Sequence, residues 1–215
     1  MMQLLCAAVI DELEPLLKST AFRQEGPELF RHPRKNLLVA ALGVGLVDFA
    51  SGFQALLERY QVAEALLTGT CGVYPAAAQK WPPVSLVAPL EISLGDLAEV
   101  NRSGYFPAPI TATCMLDEKF SRGFLADADT HCLTLTAITS DDQAASLIEK
   151  FYHCHFEQME AYAFARLCQR RKITAAALFA VVNQVGRDGH RQWRLHAQQG
   201  ACLSAELLRQ KLNLL

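Results

Sequence analysis

The sequence has no long hydrophobic run, no excess of one charge sign and no regular metal-type spacing of cysteine and histidine. No apolar stretch approaches the roughly 18 residues of a membrane helix, and no basic residue precedes the short apolar run near the N-terminus. We therefore expect a cytoplasmic protein that has neither a signal peptide nor contact with a membrane. With 20 basic and 22 acidic residues, the formal net charge is -2, so no basic surface for nucleic acid is expected.

The seven cysteines are an odd number, and several of them lie in apolar surroundings. Cys6, Cys71, Cys132 and Cys168 resemble small core residues, which is typical of a protein from a reducing compartment. The tract His153-Cys154-His155 contains metal-binding residue types, but neither a CxxC nor an HxxxH spacing accompanies it. We predict neither a metal ion nor another cofactor.

The order of apolar segments predicts an α/β fold with a mixed sheet and helices on both faces. A length of 215 residues with 51% hydrophobic residues suffices for one large core, so we expect a single domain over residues 1–215. Asp11 is a candidate cap for the first helix. Two prolines, a glycine and paired aromatics predict that residues 101–110 form an ordered surface loop able to cover a pocket. Buried strands are predicted at residues 4–10, 36–42, 65–68, 84–90, 132–138 and 173–182, and helices at 11–17, 46–60, 143–151, from 160, around 193 and at 204–212.

Two segments rich in small residues follow predicted strands. Gly43-Val44-Gly45 leads into a helical pattern, an arrangement in which backbone N–H groups can approach an anion or a sugar hydroxyl. Gly69-Thr70-Cys71-Gly72 is predicted to be a turn that lets a ligand lie close to the main chain. The first segment is also compatible with an ordinary tight turn.

The segment Glu157-Gln158-Met159-Glu160 places a carboxylate beside a methionine at the start of an apolar helix. Because unpaired N–H groups and the helix dipole favour an anion there, Glu160 is expected to stay ionised and to accept hydrogen bonds. It could bind two hydroxyls of a sugar. The alternative is a first-turn glutamate on an amphipathic helix, with Met159 as a core residue.

These three segments resemble the glycine turns and the Met-Glu ribose motif of the purine nucleoside phosphorylase and nucleosidase superfamily, in its hydrolase branch. Their order and separations agree with that family, as does a last strand that leads to Asn183. The resemblance implies a three-layer nucleoside phosphorylase-like fold, a purine nucleoside as substrate and a homodimer. Asn183, the segment Val185-Gly186-Arg187-Asp188 and Trp193 are most similar to futalosine hydrolases, which release hypoxanthine in menaquinone biosynthesis. Methylthioadenosine/adenosylhomocysteine nucleosidases are next, with an aspartate at the position matched by Asn183.

The resemblance implies three catalytic residues. The family places a glutamate for the nucleophilic water just after the first strand, where an ungapped count reaches Leu13. We prefer Glu12, which lies closer to the strand end, and keep Glu14 as the alternative. Glu160 would hold the ribose hydroxyls and oppose the positive charge that develops on the sugar. The amide of Asn183 offers one donor and one acceptor to a departing 6-oxopurine.

The resemblance also implies substrate contacts along both glycine segments and the motif. These contacts are assigned to Gly43, Gly45, Thr70, Cys71, Gly72, Gln158 and Met159. Phe156 is a candidate for the purine pocket, as are Phe151 and Tyr162, although each aromatic is also compatible with an ordinary core position.

Two departures from the family pattern qualify these expectations. Leu42 stands before Gly43, where a polar residue is frequent in the family, which favours hydrolysis over phosphorolysis. Ser140-Asp141-Asp142 replaces a Ser-Gly-Asp segment, so either aspartate could match the family's. A protein that binds purines or nucleosides without cleaving them is the alternative of another class.

Overall fold

The computed structural model describes residues 2–214, which form a mixed β-sheet with helices on both faces. The strands are β1 Met2–Ala7, β2 Arg23–Gly26, β3 Leu29–Arg31, β4 Leu37–Ala41, β5 Val62–Val73, β6 Ser85–Val87, β7 Glu91–Leu94, β8 Thr113–Met115, β9 His131–Thr134, β10 Phe156–Glu157 and β11 Thr174–Gln184. The helices are α1 Ile10–Ser19, α2 Gly45–Arg59, α3 Leu97–Val100, α4 Glu118–Phe124, α5 Asp142–Tyr152, α6 Ala161–Arg171 and α7 Gly189–Lys211. The predicted fold class is confirmed.

The long strand β5 organises the sheet. The strands lie in the order β2-β3-β4-β1-β5-β10-β9-β7-β8, and β11 pairs with β5 and β6. Strand β11 runs parallel to β5 along residues 64–73 and occupies one edge of it. The other edge is shared, because β1 pairs with residues 62–67 of β5 and β10 pairs only with Gly72 and Val73. On this second edge, residues 68–71 of β5 therefore face the gap between β1 and β10.

Two apolar layers cover the sheet, and the period-two alternation of the strands assigns residues to each. Leu4 and Cys6 of β1 face the layer that contains Phe53 of α2 and Phe164 of α6, whose rings stack at a centroid distance of 5.5 Å. Leu5 and Ala7 face the opposite layer, which α1, α4 and α7 complete. Each face of the sheet is thus buried by helices, which explains why the strands read as continuous apolar runs.

Several local predictions are confirmed. Cys6, Cys71, Cys132 and Cys168 are buried. Residues 101–110 form neither a helix nor a strand, and Tyr105 in this segment is exposed. Within the described part of the chain, no helix is long and apolar enough to cross a membrane.

Other local predictions are wrong, for reasons that lie in tertiary pairing. The segment Gly69-Thr70-Cys71-Gly72 is not a turn but the second half of β5, held extended by its pairing with β11. Strand β11 extends two residues beyond the predicted end at residue 182, so that Asn183 is its penultimate residue. The two helical patterns near the C-terminus are one helix, α7. Asp11 does not cap α1, since Val9 is the N-cap residue and Asp11 lies in the first turn.

Candidate active site

Glu12 lies in the first turn of α1 and reaches the gap in the edge of β5. Its Oε1 atom accepts hydrogen bonds from the backbone N–H of Thr70, at 2.8 Å, and from the Thr70 hydroxyl, at 3.1 Å. That backbone N–H is available because neither β1 nor β10 pairs with this part of β5. The gap between strands therefore fixes the position of one carboxylate.

The close approach of Glu12 requires glycine at position 69. A Cβ atom there would lie 2.8 Å from Glu12 Oε1, and the backbone φ of +153° is one that residues with side chains rarely adopt. The glycine that seemed to mark a turn is thus explained by the carboxylate that packs against the strand.

Glu160 comes from the opposite side, as the residue that precedes α6. Its Oε1 atom accepts a hydrogen bond of 2.6 Å from the backbone N–H of Gly45, the first residue of α2. Its Oε2 atom accepts a hydrogen bond from the side-chain amide of Gln158. The carbonyl of that amide accepts hydrogen bonds from the backbone N–H groups of Glu160 and Ala161, each at 2.6 Å. Gln158 therefore both starts the helix and orients the carboxylate.

Both carboxyl groups have raised pKa values. The pKa of Glu12 rises to about 7, chiefly because burial disfavours its charged form; the backbone hydrogen bond from Thr70 opposes the rise, and the negative charge of Glu160 adds to it. Burial also raises the pKa of Glu160, against the hydrogen bonds from Gly45 and Gln158. The expectation that the N–H groups of its own helix hold the Glu160 carboxylate is wrong: it makes no cap hydrogen bond to α6, and its donors are Gly45 and Gln158.

A family model described as the phosphorylase superfamily matches residues 5–213. The chain belongs to the phosphorylase superfamily. The match covers every residue of the site described above.

Individual relatives place this phosphorylase-superfamily chain near two kinds of nucleosidase. A curated futalosine hydrolase from Thermus thermophilus is 25% identical over 165 residues, which is 71% of each chain. A mutant of the Helicobacter pylori 5′-methylthioadenosine/S-adenosylhomocysteine nucleosidase, solved with 5′-methylthioadenosine in its active site, has a TM-score of 0.86 and 13% identity and covers 100% of this chain and 99% of its own. The native futalosine hydrolase of Helicobacter pylori has a TM-score of 0.84 and 13% identity, with 100% and 98% covered. The solved structures establish the shared fold.

Asn183 lies across β5 from these carboxylates, where β11 pairs Asn183 with Gly72. The pairing register shifts between Val181 and Asn183, which turns the end of the strand locally. The side-chain amide of Asn183 donates a hydrogen bond of 3.0 Å to the carbonyl of Gln184. A Cβ atom at Gly72 would lie 2.9 Å from the Asn183 amide nitrogen, so the missing side chain at Gly72 leaves room for that amide.

Helix α7 supplies a residue at the rim that sequence reasoning had not linked to the carboxylates. The indole N–H of Trp193 donates to the Thr70 hydroxyl at 3.4 Å, and His190 stacks on the indole with a centroid distance of 5.8 Å. Trp193 is 42% exposed. The contact was not predictable because it joins residues 123 positions apart in the chain.

The alternatives left open by the sequence are now distinguished by geometry. Glu14 points to the surface, where it forms an ion pair of 2.9 Å with Lys18, whereas Glu12 faces the site. Asp141 caps α5 by accepting from the N–H of Ala144. Asp142 instead accepts a hydrogen bond of 2.8 Å from the backbone N–H of Arg187, in the turn that follows Asn183.

The remaining predicted contacts divide into two groups. Gly43, Gly45, Thr70 and Met159 are partly exposed, and the backbone N–H groups of Gly45 and Thr70 contact the carboxylates. The predicted substrate contacts of Cys71 and Phe156 are not seen, because both side chains lie in the core layer. The ring of Phe156 is fully buried and packs against Trp81. Alternation along the strands directs these two side chains into the core layer that α2 and α6 cover. Phe151 is 43% exposed at the end of α5, and Tyr162 donates to the Thr111 carbonyl.

The candidate site contains acidic and amide groups rather than a metal-binding cluster. Among residues 2–214, no group of three or more His, Cys, Asp or Glu side chains is arranged to hold a metal ion.

Proposed function

We propose that this protein is a purine nucleoside N-glycosidase that hydrolyses the bond between ribose and a 6-oxopurine, as in futalosine. The observation that carries the proposal is the pair of buried carboxylates, Glu12 and Glu160, which are held by backbone N–H groups and are near enough for the charge of Glu160 to raise the pKa of Glu12. The likeness to futalosine hydrolases supports the choice of substrate.

The electrostatics of the pair favour an oxocarbenium-like transition state. Two like charges in a buried site raise each other's free energy, and a positive charge that develops between them relieves that repulsion. Neither carboxylate accepts a hydrogen bond from a lysine or arginine among the described residues. The site thus stabilises a cationic sugar more than its neutral precursor, which is the requirement for catalysis.

Glu12 has the properties of the general base. A pKa of about 7 leaves a substantial ionised fraction at neutral pH and keeps the group basic enough to accept a proton. Its Oε1 atom is held by Thr70, and no described residue donates a hydrogen bond to the buried Oε2 atom. Water attacks C1′, the bond from C1′ to the purine nitrogen breaks with its electron pair on the base, and Glu12 takes the proton of the water.

Water rather than phosphate is the acceptor in this proposal. Phosphate is an anion and would be repelled by the two carboxylates, whereas water is neutral and can be oriented by either. Leu42, which precedes the first glycine segment, is buried and offers no polar group to a phosphate.

The test is to incubate the protein with futalosine, inosine and methylthioadenosine, with and without phosphate, and to measure the free base and the sugar product. We expect hypoxanthine and a free sugar from futalosine, at the same rate in phosphate-free buffer. A requirement for phosphate, with a sugar 1-phosphate as product, would assign the protein to the phosphorylase branch. Binding of purines without release of any base would make it a non-catalytic purine-binding protein.

A further inference from the structure

A third carboxylate, Glu157, is buried beside the site and has no role in the proposed reaction. It lies in the two-residue strand β10 and is 8% exposed. Its Oε2 atom accepts hydrogen bonds of 2.7 Å from the Tyr74 hydroxyl and of 2.7 Å from the Thr139 hydroxyl. Its Oε1 atom accepts one of 2.9 Å from the backbone N–H of Thr139. The carboxylate is therefore satisfied by neutral donors alone.

Such an arrangement needs an explanation, because an apolar residue would cost less at a buried strand position. Burying a carboxylate without a cation is unfavourable, and the hydrogen bonds only offset that cost. A fully connected polar network does, however, fix the geometry of the groups that it joins. The network around Glu157 should therefore fix the position of the segments that contain Tyr74 and Thr139.

Tyr74 holds one side of this network in a fixed position. Its ring is fully buried in a small cluster with Leu133 and Val185, and burial, with the charge of Glu157 next, raises the pKa of its hydroxyl. The hydroxyl thus keeps its proton and remains a donor. The backbone nearby is also fixed, since the Val185 N–H donates to the Val73 carbonyl at 2.8 Å.

Thr139 connects Glu157 to the segment that leads into α5. Three residues later, Asp142 accepts a hydrogen bond of 2.8 Å from the backbone N–H of Arg187. Arg187 lies in the turn between β11 and α7, four residues after Asn183. The connection thus runs by hydrogen bonds from Glu157 to Thr139, along the backbone to Asp142, and by a hydrogen bond to the turn that follows Asn183.

The register of the sheet gives a second, independent connection. Gly72 pairs with Glu157 on one edge of β5 and with Asn183 on the other, so the three residues lie in one row. Side chains of residues paired in this way project from the same face, and two strand spacings separate them by about 10 Å. Glu157 and Asn183 therefore lie on one face of the sheet, and the space over the glycine between them is filled by a Val185 methyl group and the Asn183 amide.

We propose that Glu157 is a positioning residue: through Thr139 and Asp142 it holds the turn after β11 so that the Asn183 amide faces the purine base. This inference rests on the proposed function for the identity of the base. It assigns to Glu157 an effect on base selectivity, which a purely structural carboxylate would not have.

Base selectivity can be measured without hydrolysis, as the ratio of the dissociation constants of adenine and hypoxanthine by titration calorimetry. We expect the wild-type protein to prefer hypoxanthine by about 10²-fold. Glu157→Gln removes the charge but keeps the shape, and should reduce the preference about 10-fold or more, because small misplacements of a polar group are costly. In a double-mutant cycle with Asn183→Ala, the two effects on the ratio should not add.

Glu149→Gln is the matched control. Glu149 is a half-buried carboxylate of α5 that accepts from the backbone N–H of Ala76 at 3.0 Å, at the far end of the helix from residues 139–142. Its loss should affect stability but leave the ratio unchanged. If Glu157→Gln does not fold, Tyr74→Phe and Thr139→Val each remove one hydroxyl donor and should shift the ratio in the same direction.

The outcomes separate this inference from the proposed function. A ratio in Glu157→Gln equal to that of the wild type or of the control, additive effects in the cycle, or no base preference in the wild type would each overturn the positioning role. A wild-type protein that shows the preference and its dependence on Glu157, but cleaves no nucleoside, would uphold the positioning role and overturn the hydrolase assignment.

Discussion

Replacement of Glu12 by glutamine should abolish activity and, above neutral pH, make the protein more stable. Burial raises the pKa of Glu12 from its ordinary value of 4.5 to about 7, so the folded protein disfavours the charged form. A difference of this size corresponds to about 3 kcal/mol of unfolding free energy at high pH. Glutamine resembles the protonated side chain, and its carbonyl can still accept the hydrogen bonds from Thr70.

The sign of the effect follows from proton release. Below about pH 4.5 the Glu12 carboxyl is protonated in the folded and in the unfolded chain, so it contributes no pH-dependent cost. As the pH rises towards about 7, the unfolded chain releases this proton first, and the stability of the wild-type protein falls. Above about pH 7 the full cost is present, and Glu12 no longer makes the unfolding free energy change with pH.

The assay is urea unfolding of the wild-type protein and Glu12→Gln at about pH 5 and about pH 8. We expect the unfolding free energies to differ by less than about 1 kcal/mol at the lower pH and the variant to be more stable by about 3 kcal/mol at the higher pH. Glu14→Gln, on the same helix but in a surface ion pair with Lys18, should change stability by no more than about 0.5 kcal/mol. Equal stabilities at about pH 8, or a difference that is the same at both pH values, would refute the electrostatic account of the site.

Three further predictions concern the rate. Glu160→Gln should keep the fold and lower kcat by about 10²-fold or more, because the amide has no charge to oppose the cationic sugar; full turnover would remove Glu160 from the mechanism. The wild-type protein should prefer 6-oxopurine over 6-aminopurine nucleosides by about 10²-fold, measured as the ratio of kcat/KM values, and Asn183→Asp should narrow or reverse that preference. An unchanged ratio would show that Asn183 does not contact the base selectively. Thr70→Val removes a hydrogen bond that lowers the pKa of Glu12, so the rise of kcat/KM with pH should move to higher pH; an unmoved profile would show that Glu12 is not the group that titrates.

The parts of the fold that depend on local periodicity were predictable from the sequence. The apolar run of β1 and the helical stripe of α2 are each determined by residues close together in the chain. The strand β10 has only two residues and exists because β5 and β9 lie on either side of it. Nothing in its own sequence distinguishes it from a loop, so it could not be predicted.

The central error concerned Gly69-Thr70-Cys71-Gly72, and it shows what sequence reasoning omits. Glycines are depleted in strands, so two of them in four residues indicate a turn when only the sequence is known. In the structure the pairing with β11 keeps the segment extended, and the glycines make room for Glu12 and Asn183. The residue types were informative about close approach, but the approaching groups are side chains rather than a turn of the backbone.

The direction of the pKa shift of Glu160 was missed for a related reason. A glutamate at a helix start has a lowered pKa when the helix terminus is exposed, because the N–H groups and the dipole favour the anion. Here the donors come from Gly45 and Gln158, and burial raises the pKa in spite of them. Burial is a property of the assembled layers and cannot be read from the segment 157–160 alone.

The interrupted edge of β5 joins the fold to the proposed chemistry. If β1 and β10 met, the N–H of Thr70 would be used in a strand ladder, and Glu12 would have no fixed donor in this part of the site. The gap therefore makes a carboxylate site possible at the cost of strand pairing, and the raised pKa values add a further cost in stability. The cationic transition state relieves the cost that comes from the raised pKa values, and the free protein does not. The same charges that destabilise the free protein therefore lower the barrier to reaction. Substitutions that neutralise either carboxylate should accordingly trade activity for stability, in the direction that the pH dependence of Glu12→Gln measures.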